Sequence, residues 1–251
     1  MRLHPIASSS SGNCVYAASQ KTHILVDAGL SGKRIQAALE TWGSPPLSAI
    51  LLTHEHSDHA AGVGVLSRRF NIPVFAAPFT WRFLLRHGTI GKIDPALQRT
   101  LTPGTRETIG DIELECFDIP HDASQPVGFC LYADGRKAAV ATDMGYVTDT
   151  VREKLRGVHA LLLESNHDPE MLENGPYPRA LKDRIKGSRG HLSNVAAGAL
   201  LAEIASPALE HVYLGHLSEE NNRPLLALHT VQEVLNVNGV TIPHLEVAKP
   251  A

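Results

Sequence analysis

The sequence predicts an α/β chain of the α+β type, in which two β-sheets pack face to face and helices cover their outer faces. Three observations predict it. The chain opens with short apolar strand-like runs, a second β-rich stretch extends from Thr108 to Ala141, and helix-length segments recur through both halves. Sheets of this kind bury their apolar faces by stacking, a layered solution distinct from one open parallel sheet. No internal repeat is present, and the only low-complexity tract is one serine run, so residues 1–251 are read as a single domain.

The elements follow in order. Leu3 to Ile6, Cys14 to Ala17 and His23 to Val26 read as strands, interrupted by Ser8-Ser9-Ser10-Ser11-Gly12-Asn13, whose small polar residues suit a turn or a backbone nest. A helix is expected from Ser31, a candidate cap, to Trp42, and a strand from Ala49 to Leu52. A helix through Arg69, a strand at Val74 to Ala76 and a helix from Pro78 to Arg86 continue the alternation. Ile112 to Phe117 then alternates in period two, and strands at Val127 to Tyr132 and Ala138 to Ala141 flank Ala133-Asp134-Gly135-Arg136, a hairpin signal. The last third returns to alternation. Strands are expected at Ala160 to Leu163 and Val212 to Leu214, with helices at Pro178 to Lys186, Ser193 to Ile204 and Arg223 to Leu235.

At 251 residues, with 43% hydrophobic and 20% charged residues, the chain is long enough to bury a substantial core unaided. No apolar run approaches the roughly 20 residues of a membrane span, and the opening Met1 to Pro5 has no secretory stretch, so a cytoplasmic protein with no membrane partner is expected. Cys14, Cys116 and Cys130 are odd in number and lack C-x-x-C spacing, which speaks against a disulfide framework and a thiolate zinc site. The net charge of −3 does not suggest nucleic acid globally. Locally, Arg179, Lys182, Arg184, Lys186 and Arg189 face only Asp183, a stripe that suits either a solvated helix or phosphate contact.

The chemistry concentrates in T-H-E-H-S-D-H at 53–59, directly after the apolar run Ala49 to Leu52. His54 and His56, two apart, present their rings to one side of an extended backbone, while Asp58 and His59 fall where a new helix turns them toward a second point. One segment can therefore serve two adjacent ions. Completing such a site takes residues from later strand ends, and His121, Asp143 and His216 each stand just past an expected strand. The assignment gives one ion to His54, His56 and His121 and the other to Asp58, His59 and His216. Asp143 bridges them, and a hydroxide is shared between the ions. Imidazole and carboxylate donors accept zinc, manganese and iron alike, with zinc the default expectation. Two ions so placed activate water for hydrolysis.

With L-V-D-A-G at 25–29, these ordered motifs resemble the metallo-β-lactamase fold superfamily over nearly the full length. The resemblance implies an αββα sandwich and a dinuclear site, usually zinc. The superfamily cleaves lactams, thioesters, lactones and phosphodiesters, so finer signals decide the substrate. True lactamases typically carry a cysteine or histidine where Asp143 stands. The strings E-S-N-H-D at 164–168, G-P-Y-P-R-A-L-K-D-R-I at 175–185, G-H-L-S-N at 190–194 and L-G-H-L-S-E-E-N-N at 214–222 resemble the bacterial WalJ/YycJ group, which is similar to ribonuclease Z. That group implies exonucleolytic degradation of DNA from 5′ ends. Only residues 122–142 separate His121 from Asp143, which leaves no room for the transfer-RNA arm of ribonuclease Z, and residues 144–190 are too few for a β-CASP cap.

By the same resemblance His191 acts as proton donor or phosphate stabiliser and Glu164 as its orienting partner; the alternative for His191 is a loop residue before the helix cap Ser193. Asp58 orients the nucleophile or takes its proton. Arg179, Lys182 and Arg189 are the expected phosphate contacts. Ser11 and Asn13 either add donors near the site or belong to a plain loop. The competing readings are a thioesterase or lactonase of the glyoxalase II type and a metal-dependent regulatory module without turnover.

Overall fold

The central strands carry apolar side chains on both faces, so each sheet needs a cover on each side. Ala49 and Leu51 face one way and Ile50 and Leu52 the other, and all four are fully buried. The computed structural model describes residues 1–251 throughout. Its first sheet is ordered β1 (Arg2–Ser9), β2 (Gly12–Ala18), β3 (His23–Val26), β4 (Leu47–Leu51), β5 (Val74–Ala76) and β6 (Gln98–Thr100). Its second runs from the edge strand β7 (Arg106–Ile109) through β8 (Ile112–Asp118), β9 (Val127–Ala133), β10 (Arg136–Ala141), β11 (Ala160–Glu164) and β12 (His211–Gly215) to β13 (His244–Val247).

Three apolar layers hold the stack. Val15, Val26 and Leu51 of the first sheet meet Leu114, Phe129 and Val140 of the second between the sheets. Outside the first sheet, Leu25 and Ile50 pack with Ile35 and Leu39 of α1 (Gly32–Glu40), Leu66 of α3 (Val63–Phe70) and Leu84 of α4 (Pro78–His87); α2 (Ser57–Ala60) is a single turn between them. Outside the second, Leu161 and Leu163 pack with α5 (Asp149–Leu155), α8 (Asn194–Ile204) and α9 (Pro224–Val237) through Val151, Leu200, Leu201, Val231 and Leu235. Two shorter helices, α6 (Pro169–Asn174) and α7 (Arg179–Lys186), lie in the connection between β11 and α8. The layers run helix, sheet, sheet, helix.

The two stacked sheets are as expected, and each is mixed: β3 to β6 are parallel neighbours, as are β10 to β13. Several expectations need correction. The serine run is mostly strand, because Ser8 pairs with Asn13 and Ser9 with Gly12, leaving Ser10 and Ser11 as the hairpin tip. The strands β6 and β13 and the helices α5 and α6 have no counterpart among the expected elements. The expected caps are in place, with Ser31 Oγ accepting from the Arg34 N–H at 3.4 Å and Ser193 Oγ from the Ala196 N–H at 3.3 Å. All three cysteines are buried and free, and no helix is long and apolar enough to cross a membrane.

Candidate metal centre

The pairing directions bring six strand ends to one edge of the sandwich. β3 and β4 are parallel in the first sheet; β10, β11 and β12 are parallel in the second, and β8 runs in their direction because β9 opposes both β8 and β10. Their carboxyl ends deliver Asp27, the 54–59 segment, His121, Asp143, Glu164 and His216 to the same place. Three of these strand ends turn sharply, since Asp27, Asp143 and His216 adopt φ of 61°, 61° and 55°. Non-glycine residues hold this left-handed conformation only where surrounding contacts enforce it. One glycine is equally required: a Cβ at Gly29 would lie 1.6 Å from the Asp58 carbonyl oxygen, so only glycine lets the 27–29 turn press against the 54–59 segment.

Two groups of donors result. His54, His56 and His121 form one, and Asp58, His59 and His216 the other, with Asp143 grouped with His54 and His59 and also with Glu164, His191 and His216. The Asp143 carboxylate lies between them, 3.2 Å from His59 Nε2 and 3.3 Å from His216 Nε2, with Oδ1 also 3.6 Å from His121 Nε2. The second nitrogen of most rings is fixed from behind. His121 Nδ1 donates to the Gly190 carbonyl at 3.2 Å, His59 Nδ1 to Asp27 Oδ2 at 2.8 Å, and His216 Nδ1 to Glu164 Oε1 at 3.1 Å. Each of these bonds fixes the ring through Nδ1 and leaves Nε2 as the nitrogen that faces Asp143 and that a metal would take. Thr53 reinforces the frame: its hydroxyl donates to Asp27 and lies 3.0 Å from His54 Nδ1.

The donor set fits divalent ions. Donors about 2.0 Å from a tetrahedral centre stand roughly 3.3 Å apart. Here His54 Nε2 and His56 Nδ1 are 3.0 Å apart, and both His59 Nε2 and His216 Nε2 are 3.3 Å from Asp58 Oδ2. Asp143 Oδ2 is buried with no well-formed hydrogen bond and faces only the His59 ring, at 3.2 Å, a position where a cation would be well received. The electrostatics agree. Burial alone pushes the His59 and His216 rings toward the neutral form, yet the facing Asp143 carboxylate outweighs it, holding His59 well above its ordinary value and His216 at about 10. His54 and His121, with burial dominant, stay below the ordinary histidine value. The facing carboxylates thus draw positive charge onto His59 and His216, the positions where a metal would sit.

Beside this cluster, Glu164 serves two histidines at once. Its Oε1 lies 2.8 Å from His191 Nδ1 as well as 3.1 Å from His216 Nδ1, while Oε2 accepts the backbone N–H groups of Met144 and Leu192. Burial raises the Glu164 carboxyl, but the His191 and His216 rings prevail and hold it at about 2. His191 keeps Nε2 free of protein partners and lines a cleft with Tyr177, Arg184 and Asp122.

The structure gathers His54, His56, Asp58, His59, His121, Asp143, Glu164, His191 and His216 at this edge. It treats the expected phosphate contacts differently. Arg179 pairs with Asp183 and Glu173, Lys186 pairs with Glu173, and Lys182 donates to the Glu173 carbonyl, so these side chains are engaged within the protein. Arg184 is held by Asp122 at 2.6 Å. Only Arg189 remains unpaired, in a cavity that reaches His121. Asn13 is buried, with its amide nitrogen 3.0 Å from the Ser9 carbonyl and 3.1 Å from His59 Nε2, and Ser11 Oγ donates to Glu219. Both are part of the scaffold around the site. Asp27 is a site residue that the sequence reading does not single out, although it follows a strand end within L-V-D-A-G, as Asp143 follows another.

A four-layer sandwich with histidine and aspartate donors converging at one sheet edge defines a metal-dependent hydrolase. The chain belongs to the beta-lactamase superfamily, whose domain model matches residues 22–217, and within it to the YycJ/WalJ group. It is 41% identical to the exodeoxyribonuclease YycJ of Bacillus anthracis over 95% of this chain and 91% of that one. To the exodeoxyribonuclease WalJ of Streptococcus pneumoniae it is 40% identical, over 90% and 85%. The metallo-beta-lactamase fold protein YhfI of Bacillus subtilis superposes with a TM-score of 0.72 at 15% identity, covering 99% of this chain and 96% of that one, which is a likeness of fold.

Proposed function

We propose that this protein is a dinuclear metal-dependent phosphodiesterase that degrades DNA from 5′ ends. The observation that carries the proposal is the buried Asp143 carboxylate, which lies between two histidine-containing donor groups with one oxygen on His59 and the other on His216 and His121. The names of the YycJ and WalJ relatives, aligned over nine-tenths or more of this chain, support DNA as the substrate. His54, His56 and His121 would hold one ion, Asp58, His59 and His216 the other, and Asp143 both. Such a pair supplies Lewis acidity for the phosphoryl oxygens and lowers the pKa of a water; zinc is the proposed metal, with manganese or iron as substitutes.

The chain's own residues do the rest. Asp58 orients the attacking water or takes its proton, a role supported by its contacts with both His59 and His216. His191, held at Nδ1 by Glu164, presents Nε2 toward the cleft, where it donates to the departing oxygen. Glu164 positions both His191 and His216 and so links proton delivery to the donor set. The three buried free thiols accord with a reducing, cytoplasmic setting, and residues 1–251 work as one domain.

The test is digestion of 5′- and 3′-end-labelled DNA and RNA with zinc or manganese, alongside Asp143→Asn. Stepwise release from the 5′ end of DNA, abolished in the variant, is the expected result. Digestion that persists in the Asp143→Asn variant, or turnover of thioesters with none of DNA, would overturn the proposal.

A further inference from the structure

The helix α4 has a second face that core packing does not explain. Thr80, Trp81 and Leu84 are buried against the first sheet, whereas Phe79, Arg82, Phe83 and Arg86 recur at i, i+3, i+4 and i+7 on the opposite side. Phe79 is 54% exposed. This face opens onto a cavity of about 340 Å³, lined also by His87 and Ser124. A second cavity, of about 580 Å³, shares Phe79 and Ser124 with the first, adds Tyr146 and Arg189, and ends on His121. The two form one trough running from α4 to the donor cluster. Its wall is braced, since Gln125 Oε1 accepts the Phe79 N–H and the Gln125 carbonyl accepts the Thr80 hydroxyl.

Charge distinguishes this trough from the rest of the rim. On α7, Arg179 and Lys186 are matched by Asp183 and Glu173, Arg184 is matched by Asp122, and Lys182 is tied to a backbone carbonyl. Arg82, Arg86 and Arg189 have no carboxylate partner; Arg82 instead lies 5.8 Å from the centre of the Phe79 ring. Alternating aromatic rings and unpaired guanidinium groups beside a hydrolytic centre match a strand whose bases offer flat faces and whose backbone is anionic. Arg82 and Arg86 stand one turn apart, about 6 Å along the helix, on the scale that separates successive phosphates of an extended strand.

We infer that the trough formed by Phe79, Arg82, Phe83, Arg86, Tyr146 and Arg189 is the track for an unpaired DNA strand, with bases stacking on the exposed rings and phosphates meeting the free arginines. This rests on the phosphodiesterase reading above and names the residues that grip its substrate. A paired duplex hides its base faces, so the track favours single strands or frayed ends.

The experiment measures anisotropy of a labelled phosphorothioate single strand of about 16 nucleotides, an upper site size for such grooves, on the metal-loaded protein. The strand is titrated into the wild type, Phe79→Ala, Phe79→Trp and Arg82→Ala/Arg86→Ala across a salt series. Phe79→Ala is expected to weaken binding by roughly 5- to 150-fold, with Phe79→Trp restoring it. The double arginine variant is expected to lower the slope of log K against log salt by about 1.4, two phosphate contacts at about 0.7 each. Unchanged affinity and slope in these variants, or equal wild-type affinity for a blunt duplex of the same length, would overturn the inference. Hydrolysis of a 5′-phosphorylated dinucleotide, too short to reach α4, is followed separately in the wild type and Asp143→Asn. Failure there counts against the phosphodiesterase reading and leaves the binding result to stand or fall alone.

Discussion

Replacing Asp27 with Asn should cost the centre one of its ions while sparing the fold. The Asp27 carboxylate is buried and accepts from the Thr53 N–H at 2.8 Å, the Thr53 hydroxyl at 2.9 and 3.0 Å, and His59 Nδ1 at 2.8 Å. An asparagine is of equal size and can keep its oxygen on Thr53, which places its NH₂ against His59. His59 Nδ1 must then accept rather than donate, the ring proton moves to Nε2, and that nitrogen no longer has a lone pair for a metal. Loss of such an orienting partner typically lowers metal affinity 10- to 100-fold, about 1.4 to 2.7 kcal/mol. The His54, His56 and His121 group retains its own partners, so the effect should fall on one ion. Calorimetric titration of the apoprotein should show two tight sites in the wild type and one tight, one weakened site in Asp27→Asn. Two undiminished sites in the variant, or equal weakening of both, would refute the reasoning.

Other perturbations reach different parts of the same frame. Glu164→Gln removes the charge shared by His191 and His216, and a 10²- to 10⁴-fold fall in kcat with only a small change in KM is expected; a pure KM effect would contradict the positioning role. His167 is buried with Nδ1 unpartnered, and burial lowers its pKa to about 4, so the folded state holds it neutral. Because the unfolded ring titrates near 6.5, stability should fall as pH drops from 6.5 through 4, by roughly 3 kcal/mol in full. Denaturant curves for His167→Gln should lack that portion, and parallel wild-type and variant profiles would speak against it. Gly29→Ala forces a methyl into the Asp58 carbonyl, and a loss of about 3 kcal/mol or more is expected; an unchanged urea midpoint would show that the turn can yield.

Much of this arrangement is legible along the chain because the strands that bear the site are the most apolar ones. The period-two pattern of Ile112 to Phe117 announces β8, and its inward residues Ile112, Leu114 and Cys116 do face the other sheet. What escapes a reading of the sequence lacks such a pattern. The strand β6 is Gln-Arg-Thr, with no apolar side chain, and takes its conformation from pairing with β5 alone. The edge strand β13 is half exposed, and α5 buries only Val151 and Leu155. Asp27 gains meaning only from His59, 32 positions away, a contact that spacing does not reveal. The basic stripe misleads for the opposite reason: five cations close in sequence suggest a charged face, but Glu173 lies outside the stripe and folds back onto it. The exposed face of α4 does have a visible signature, aromatic and basic residues at helical spacing beyond those the core requires.

The turned backbone at Asp27, Asp143 and His216 governs how this protein can be dissected by mutagenesis. Alanine at such a position removes a functional group and also disfavours the main-chain geometry, so a dead variant would report two defects at once. Asparagine tolerates that geometry about as well as aspartate does. Asn replacements at Asp27 and Asp143 therefore separate chemistry from conformation, and a conventional alanine scan of the same strand ends would overstate what the side chains themselves contribute.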